Sequence, residues 1–237
     1  MILYVNGDSH TAAAEAVNTH AFAEDDQQYF YMGRAPHPEN LAVSWGKLLS
    51  MSLQCGLHCD AESASSNARI MRTTRKWLAE RQSSNDQILV IIQWSTWERE
   101  EWLIDGTYYQ VNASGKDQVP EQFQQYYKEY IAGINWQQRT ESAHEEIWNF
   151  HKELESQGIK HVFFNGNNDF SKIPDSDQRA WNMCYVAPYD PTMTFDSINR
   201  KQGFETVAPG SWHFGRDAHS FFHRYLLKYI LINKLVA

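Results

Sequence analysis

Short runs of apolar residues alternate along this chain with longer segments in which apolar residues recur at helical spacing. The clearest run is 87–93 (QILVIIQ), and a run this short between polar residues predicts a buried strand. The predicted strands lie at 2–5, 57–60, 87–93, 160–165 and 183–187. Strands that alternate with helices predict a parallel sheet with helices on both faces. We therefore expect one α/β domain over 1–237, a three-layer α/β/α sandwich whose central parallel sheet has about five strands.

The segments between the strands differ in their helical character. The predicted helices lie at 11–17, at 41–53, from Ser66 onward, at 121–132, at 137–157 and from Phe214 onward. The predicted loops are 18–40, 188–212, and a long irregular segment at 94–120 that is rich in Trp and Tyr. Ser9, Trp94 and Asn165 each lie at or just past a predicted strand end, so they should share one edge of the sheet. Ligands of parallel α/β sheets bind at that edge.

Composition excludes several classes of protein. Lys and Arg number 21 and Asp and Glu 29, so the formal net charge is −8, which argues against a nonspecific nucleic-acid binder. No apolar run approaches the roughly 18 residues of a membrane span. The N-terminus lacks a basic stretch followed by an apolar one, so we expect no signal peptide. Three cysteines do not make a disulfide framework, which fits the cytosol of a cell or a phage particle assembled there.

No cofactor or metal is predicted. The chain has no Gly-rich phosphate loop, and Cys55, His58 and Cys59 lack the distant fourth ligand of a structural zinc site. His144 and His151 are two helical turns apart and are expected on a solvated helix face. A row of basic residues is also expected on a solvated face, unless its first members reach the cleft. The row comprises Arg69, Arg72, Arg75 and Lys76.

The turn Gly7-Asp8-Ser9 follows the first strand and is a candidate nucleophile site. A serine hydroxyl becomes a nucleophile when a base takes its proton and backbone donors hold the oxyanion. A strand-to-helix turn supplies both, because the Ser9 amide can point into the site and the helix dipole favours negative charge. The alternative is that Asp8 or Ser9 only caps the predicted helix.

A second signal lies near the C-terminus, where His213 stands in the segment 211–219 (SWHFGRDAH) just before the last predicted helix. Together the two segments resemble the SGNH, or GDSL-type, hydrolases, whose catalytic histidine precedes the last helix. In that family a second His or Tyr follows six residues later, as His219 follows His213 here. The GDSHT opening, the SNARIMRTT helix and the HFGRDAH ending also resemble uncharacterised SGNH-like proteins of marine phages.

The resemblance implies a serine esterase that needs no cofactor, with Ser9 as nucleophile and His213 as base. The family's acid stands three residues before the histidine, and that position is Gly210. The acid, which is the third member of the catalytic triad, is therefore missing, replaced by a carbonyl, or supplied by Asp217 or another Asp such as Asp8. His219 is the alternative base.

The oxyanion donors implied by the resemblance also depart from the family pattern. The Ser9 amide is the first donor, and Ser65 occupies the region of the family's glycine. Ser95 stands where the family's asparagine would be. A literal Gly-x-Asn-Asp occurs one strand later, at 166–169, so Asn168 becomes the donor if the strand count is off by one. The alternative reading of that motif is a turn.

The aromatic residues, 9 Trp, 12 Tyr and 12 Phe, exceed the needs of a core this size. Those in the loops are candidates for a wall that stacks on substrate, chiefly Trp94, Trp97 and Trp212. The alternative is that the 94–120 loop packs on the domain or forms an oligomer contact. The sequence thus predicts hydrolysis of an ester, such as an O-acetyl group on a saccharide. The rival hypothesis is a phage structural or glycan-binding protein that keeps the fold with a degraded site.

Overall fold

Parallel strands form the centre of the computed structural model, which describes residues 1–21, 35–81, 86–112 and 119–236. In chain order the strands are β1 (Ile2–Asn6), β2 (Gly56–Cys59), β3 (Ile88–Trp94), β4 (Glu100–Ile104), β5 (Thr107–Val111) and β6 (Lys160–Asn165). The central sheet has the order β2-β1-β3-β6 and is parallel throughout. It therefore has four strands where we expected about five. The expected fifth, at 183–187, contributes one parallel bridge between Tyr185 and Phe163.

Seven α-helices lie in the described ranges, together with short 3-10 turns. They are α1 (Pro38–Val43), α2 (Trp45–Ser52), α3 (Asn67–Ala79), α4 (Gln124–Ala132), α5 (Trp136–Ser156), α6 (Phe195–Lys201) and α7 (Arg216–Ile232). Ser66 begins α3 as predicted, because its hydroxyl accepts a hydrogen bond from the Arg69 amide at 3.2 Å and so satisfies a free N–H of the first turn. None of these helices has the length and apolarity that crossing a bilayer requires.

Helices cover both faces of the central sheet, which confirms the predicted three layers. Successive side chains of a strand point to opposite faces. In β1, Tyr4 is fully buried among residues of α3 and α5. Leu3 and Val5 are buried on the other face, among residues of α2, α6 and α7. Two apolar clusters, one on each face, thus hold the strands at fixed heights and bring their carboxyl ends to one edge.

The Ala-rich segment 11–17 does not form the predicted helix, although its residues favour one. It forms successive turns instead, in which Ala13 and Glu15 adopt positive φ values of 54° and 62°. The Asp8 carbonyl accepts hydrogen bonds from the amides of Thr11 and Ala12, both at 3.0 Å. The contacts of Glu15 described below outweigh the local helical preference. Ser9 therefore has no helix N-terminus behind it, and that part of the electrostatic expectation was wrong.

Two other predicted loops contain regular structure. The aromatic segment 94–120 is not irregular throughout, because β4 and β5 form an antiparallel hairpin within it. The segment 188–212 contains α6, which begins after Thr194, whose hydroxyl accepts a hydrogen bond from the Ser197 amide. Residues 22–34 of the loop predicted at 18–40 and residues 113–118 of the aromatic segment lie outside the described residues.

Candidate active site

The chain leaves β1 through a tight turn beside the end of β3. A Cβ atom on Gly7 would lie 2.4 Å from the Thr11 hydroxyl and 3.0 Å from the Gln93 side chain. The Thr11 hydroxyl donates to the Gln93 carboxamide oxygen at 2.9 Å. Only glycine lets the backbone come this close. The carboxyl edge predicted from the strand ends is confirmed, since Trp94 pairs with Asn165 across β3 and β6.

Asp8 and His10 form a buried ion pair on either side of Ser9. One Asp8 carboxylate oxygen accepts from the His10 amide at 3.0 Å and lies 3.2 Å from His10 Nδ1. The other His10 nitrogen, Nε2, lies 3.0 Å from the carbonyl oxygen of Trp212. Both partners can only accept, so both ring nitrogens carry protons and His10 is an imidazolium.

The two charges of this pair shift each other's pKa. Burial alone would raise the pKa of Asp8, but the positive charges of His10 and Arg99 outweigh burial and hold it well below its ordinary value. Burial alone would lower the pKa of His10, but the Asp8 carboxylate raises it above its ordinary value. Both pKa shifts favour the ionised form of the pair.

The second oxygen of the Asp8 carboxylate connects the turn to the segment after β3. It accepts from the Ser95 hydroxyl and from the Arg99 guanidinium, each at 3.0 Å. Arg99 also donates to the Ser95 hydroxyl at 2.8 Å. The Asp8 carboxylate, an expected catalytic group, is thus occupied by positioning contacts with three side chains.

His213 has a carboxylate partner, which the sequence analysis did not find. Its Nδ1 lies 2.7 Å from Oε2 of Glu15, and the Ser211 hydroxyl donates to the same oxygen at 2.9 Å. These hydrogen bonds lower the pKa of Glu15 although burial opposes them. Because a carboxylate only accepts, Nδ1 carries the proton and Nε2 keeps its lone pair. Burial lowers the pKa of His213 below its ordinary value, and Glu15 offsets only part of that effect. His213 is thus a neutral imidazole with a basic nitrogen.

The contacts of His10 place the Ser9 turn next to the loop that carries His213. His10 joins the loop at Trp212, and the rings of His10 and His213 are 5.8 Å apart between centroids. Ser9 is 6% exposed. Its hydroxyl makes no hydrogen bond to any residue of the described ranges, so it is free to meet a ligand but not bonded to His213.

A depression of about 560 Å³ opens beside this pair, lined by Glu15, Ser211, Trp212 and His213 among others. The Trp212 side chain is 68% exposed at its rim. Ser9, which is largely buried, is not among the lining residues.

The oxyanion candidates differ in whether their N–H or O–H group already donates a hydrogen bond within the described structure. The Ser65 amide donates to the Glu62 carbonyl, and the Ser95 hydroxyl donates to Asp8, so both are already used. Asn168 lies in the turn after β6, where its side-chain oxygen is buried without a partner in the described chain. The Ser9 amide donates no hydrogen bond within the described ranges, so it is the donor that stands free next to the hydroxyl.

Two of the three residues proposed as a substrate wall lie in the core. Trp94 is fully buried at the end of β3, and Trp97 is 3% exposed and stacks on Phe170 with ring centroids 4.9 Å apart. The expectation that they stand at an open rim was wrong, because both indoles belong to the apolar cluster formed with residues of α3 and α5. Trp212 alone of the three is exposed.

The alternative catalytic residues do not contact the Ser9 turn. Asp217 is exposed in the first turn of α7. His219 is 1% exposed, and its Nδ1 accepts a hydrogen bond from the Trp45 amide at 3.3 Å. Burial lowers the pKa of His219 to about 3, so this residue is a neutral packing group.

Three site residues were missed by the sequence analysis: His10, Glu15 and Arg99. His10 stood next to the serine, in the GDSH segment, and was the visible signal. The Ala-rich pattern around Glu15 predicts a helix, which conceals its contact with His213. Arg99 lies in the segment that the sequence predicts to be an irregular loop.

Several other expectations fail because the side chains are buried. Arg69 pairs with the buried Glu62 at 2.7 Å, so the basic row is not a solvated face throughout. His144 and His151 are buried in α5. The residues that can hold a metal, within the described ranges, are His151, His161 and Cys184.

The fold and the site together define an α/β/α protein with a serine, a neutral histidine and a carboxylate at the carboxyl edge of its sheet. The chain belongs to DUF6071, a family of unknown function, whose model matches residues 36–154. That range contains α3 and β3 but neither Ser9 nor His213. Comparison with curated proteins gives no match.

Solved structures with similarity to this chain include a protein described as lipolytic, of the G-D-S-L family, from Desulfitobacterium hafniense DCB-2. It is 11% identical with a TM-score of 0.48, over 96% of this chain and 98% of that one. The psychrotrophic esterase EstA from Pseudoalteromonas sp. is 11% identical with a TM-score of 0.45, over 97% and 96%. An acetyl xylan esterase from Butyrivibrio proteoclasticus is 13% identical with a TM-score of 0.45, over 99% and 64%.

Proposed function

We propose that this protein is a serine hydrolase that cleaves a carboxylic ester, with Ser9 as nucleophile, His213 as general base and Glu15 as the acid. The observation that carries the proposal is the 2.7 Å contact between Glu15 and His213 Nδ1. A carboxylate in that place holds the imidazole in the tautomer whose other nitrogen accepts a proton, which is what a serine nucleophile needs. It supplies the acid that was not found near Gly210.

The reaction follows from the protonation states. The Ser9 oxygen attacks the ester carbonyl while His213 Nε2 takes the hydroxyl proton. Glu15 stabilises the imidazolium that forms. The free Ser9 amide and the positive charge of His10 favour the oxyanion. His213 then gives its proton to the leaving alcohol, and an acyl group remains on Ser9. In the second half, His213 takes a proton from a water molecule, which attacks the acyl group. His213 then returns the proton to the departing Ser9 oxygen, and the acid is released.

The surroundings favour a small acyl group on a sugar. Ser9 is only 6% exposed, so the limited space at its hydroxyl suits an acetyl group better than a long chain. The exposed indole of Trp212, on the rim of the 560 Å³ depression, offers a flat apolar face of the kind on which sugar rings stack. We therefore propose an O-acetylated saccharide as the substrate class.

A glycan-binding protein without catalysis is the second candidate. It is favoured by the missing hydrogen bond between Ser9 and His213 within the described structure. In apo sites such bonds are often long and tighten when substrate binds. The depression with its tryptophan would serve binding equally well.

Hydrolysis assays distinguish the two candidates. We expect the protein to release acetate from p-nitrophenyl acetate and from an acetylated xylooligosaccharide. Ser9→Ala should lose this activity, and Ser176→Ala, which changes an exposed serine bonded to Asp177, should keep it. Binding of the saccharide with no turnover above the Ser9→Ala background would favour the binding protein and contradict the hydrolase.

A further inference from the structure

We infer that His151, His161 and Cys184 form a binding site for a thiophilic divalent metal ion such as Zn²⁺, separate from the candidate active site. One ring nitrogen of each histidine and the Cys184 sulfur all lie within 4.8 Å of one another. Imidazole and thiolate are the ligands that Zn²⁺ takes most often. No two of the three residues belong to the same element, so no local spacing in the sequence indicates the site.

The backbone fixes each ligand. His151 is fully buried in α5, and His161 is the second residue of β6 and 3% exposed. Cys184 is held beside β6, because the Phe163 amide donates to its carbonyl at 2.7 Å. The two residues before it, Asn182 and Met183, have positive φ values of 48° and 64°. Residues other than glycine rarely adopt such a backbone conformation. Here it turns the chain so that the Cys184 sulfur lies near the histidines.

The two imidazoles face each other in the form that binds metals. His161 Nδ1 lies 2.8 Å from the Ile159 carbonyl, which can only accept, so this nitrogen carries the proton. Its Nε2 therefore has a lone pair, which faces His151 Nδ1 at 2.8 Å. In metal sites, the histidine nitrogen that does not bind the metal commonly donates its proton to a backbone carbonyl, which fixes the orientation of the ring. Burial lowers the pKa of His161 to about 4 and also lowers that of His151, so both rings are neutral.

The pair is not satisfied by its own hydrogen bond. His151 Nδ1 donates to His161, so His151 Nε2 has a bare lone pair, and it is buried without a partner in the described chain. The rings of Trp148 and Trp181 lie 5.1 and 5.5 Å from the His151 ring. The negative faces of such rings accommodate an N–H better than a lone pair.

Metal binding resolves this mismatch with a balanced exchange of protons. The ion takes the place of the proton between the two rings, and His151 carries its proton on Nε2 instead. The Cys184 thiol loses its proton to solvent as the sulfur binds. One proton is released for each divalent ion bound, and the protein gains a charge of +1.

Glu155 lies next to the cluster, and its carboxylate accepts hydrogen bonds from Lys152 and Asn182. Glu155 is four residues after His151, on the same face of α5, and its charge acts on both histidines and on Cys184. Three protein ligands leave the fourth position of a tetrahedral zinc site for a water molecule. His161 is four residues before Asn165 along β6, roughly 13 Å, so the site lies toward the amino edge of the sheet, away from Ser9.

Titration of the full chain with Co²⁺ tests the site, because cobalt bound by thiolate and imidazole is visibly coloured. We expect a thiolate charge-transfer band that saturates at one Co²⁺ per chain and is displaced by Zn²⁺. Cys184→Ser should lose the band, and Cys55→Ser, a matched change of another half-exposed free cysteine, should keep it. Circular dichroism confirms that each variant is folded.

Thermal unfolding gives an independent readout. Zn²⁺ should raise the melting temperature of the wild type and of Cys55→Ser but not of Cys184→Ser. The inference is overturned if the wild type shows no band, or if Cys184→Ser keeps both the band and the shift. Loss of both in Cys55→Ser alone would place the metal at Cys55 and also contradict it.

Discussion

His10 and His213 are neighbours with opposite protonation states. His10 lies between a carboxylate and a carbonyl, so it is a cation, while Glu15 accepts from one nitrogen of His213 and leaves the other free. The charge of His10 itself lowers the pKa of His213. Acid–base chemistry needs a neutral imidazole that can accept a proton and a fixed charge nearby that balances the charge formed. The two protonation states of His213 and His10 match these two needs.

Replacing Glu15 should reveal its role as the acid. We expect Glu15→Ala to lower kcat/KM for p-nitrophenyl acetate by about 100-fold or more, because His213 loses the partner that fixes its tautomer. The acid limb of the pH profile should also move to lower pH, since the carboxylate raises the pKa of His213.

Glu145→Ala, a change of an exposed glutamate paired with Arg179, serves as the control and should match the wild type. An unchanged profile in Glu15→Ala would remove Glu15 from the mechanism.

The ion pair of Asp8 and His10 should make stability depend on pH in a defined direction. The pKa of His10 is raised on folding, so its contribution is full below the ordinary histidine value of about 6.5. That contribution is lost as pH rises through the raised pKa. We therefore expect the stability advantage of the wild type over His10→Asn to shrink between pH 6 and pH 9.

Urea unfolding at the two pH values measures this difference. His20→Asn, at an exposed histidine, should run parallel to the wild type. If the difference in the free energy of unfolding between the wild type and His10→Asn is the same at pH 6 and pH 9, the ion pair is contradicted. At the acid end, the pKa of Asp8 is lowered, so its contribution is lost only as pH falls below about 3.9.

At the scale of elements, the turn after β1 shows where local preference gives way to tertiary contacts. The alanines of 11–17 predict a helix, but Glu15 reaches His213 and Ser211 only when Ala13 and Glu15 adopt positive φ. No property of the segment alone indicates this, because the partners are about 200 residues away. The hairpin in the aromatic segment differs, because its strands pair across the local turn Asp105-Gly106, a dipeptide typical of hairpins.

The tightness of this turn leads to a prediction about Gly7. A Cβ atom there would meet the Thr11 hydroxyl at 2.4 Å, so Gly7→Ala should lower the free energy of unfolding by about 1–3 kcal/mol through overpacking. Adding Thr11→Ala should recover part of the loss by removing the clash.

Gly56→Ala is the matched change, because nothing lies within 4 Å of that Cβ position. It should stay within about 0.5 kcal/mol of the wild type. Equal effects of the two substitutions in chemical denaturation would show that the turn is not closely packed.

At the scale of the whole molecule, the alternating pattern predicted the architecture, whereas the meeting of the two chain ends was expected from their resemblance to a known hydrolase family. The apolar runs gave the layers because burial on both faces of a parallel strand dictates them. Ser9 and His213 were predicted because the segments that carry them, each beside a predicted element boundary, together resemble the motifs of that family. The acid was not, since Glu15 departs from its local preference, and the cluster of His151, His161 and Cys184 was not, since three separate elements build it.

Labelling by a fluorophosphonate tests most directly whether His213 activates Ser9. Intact-mass and peptide analysis should find one adduct per chain, on Ser9, in the wild type. His213→Ala should label far more slowly, while His219→Ala, if folded, should label at nearly the wild-type rate. No adduct on Ser9 in the folded wild type, or labelling that is lost in His219→Ala but kept in His213→Ala, would contradict the account.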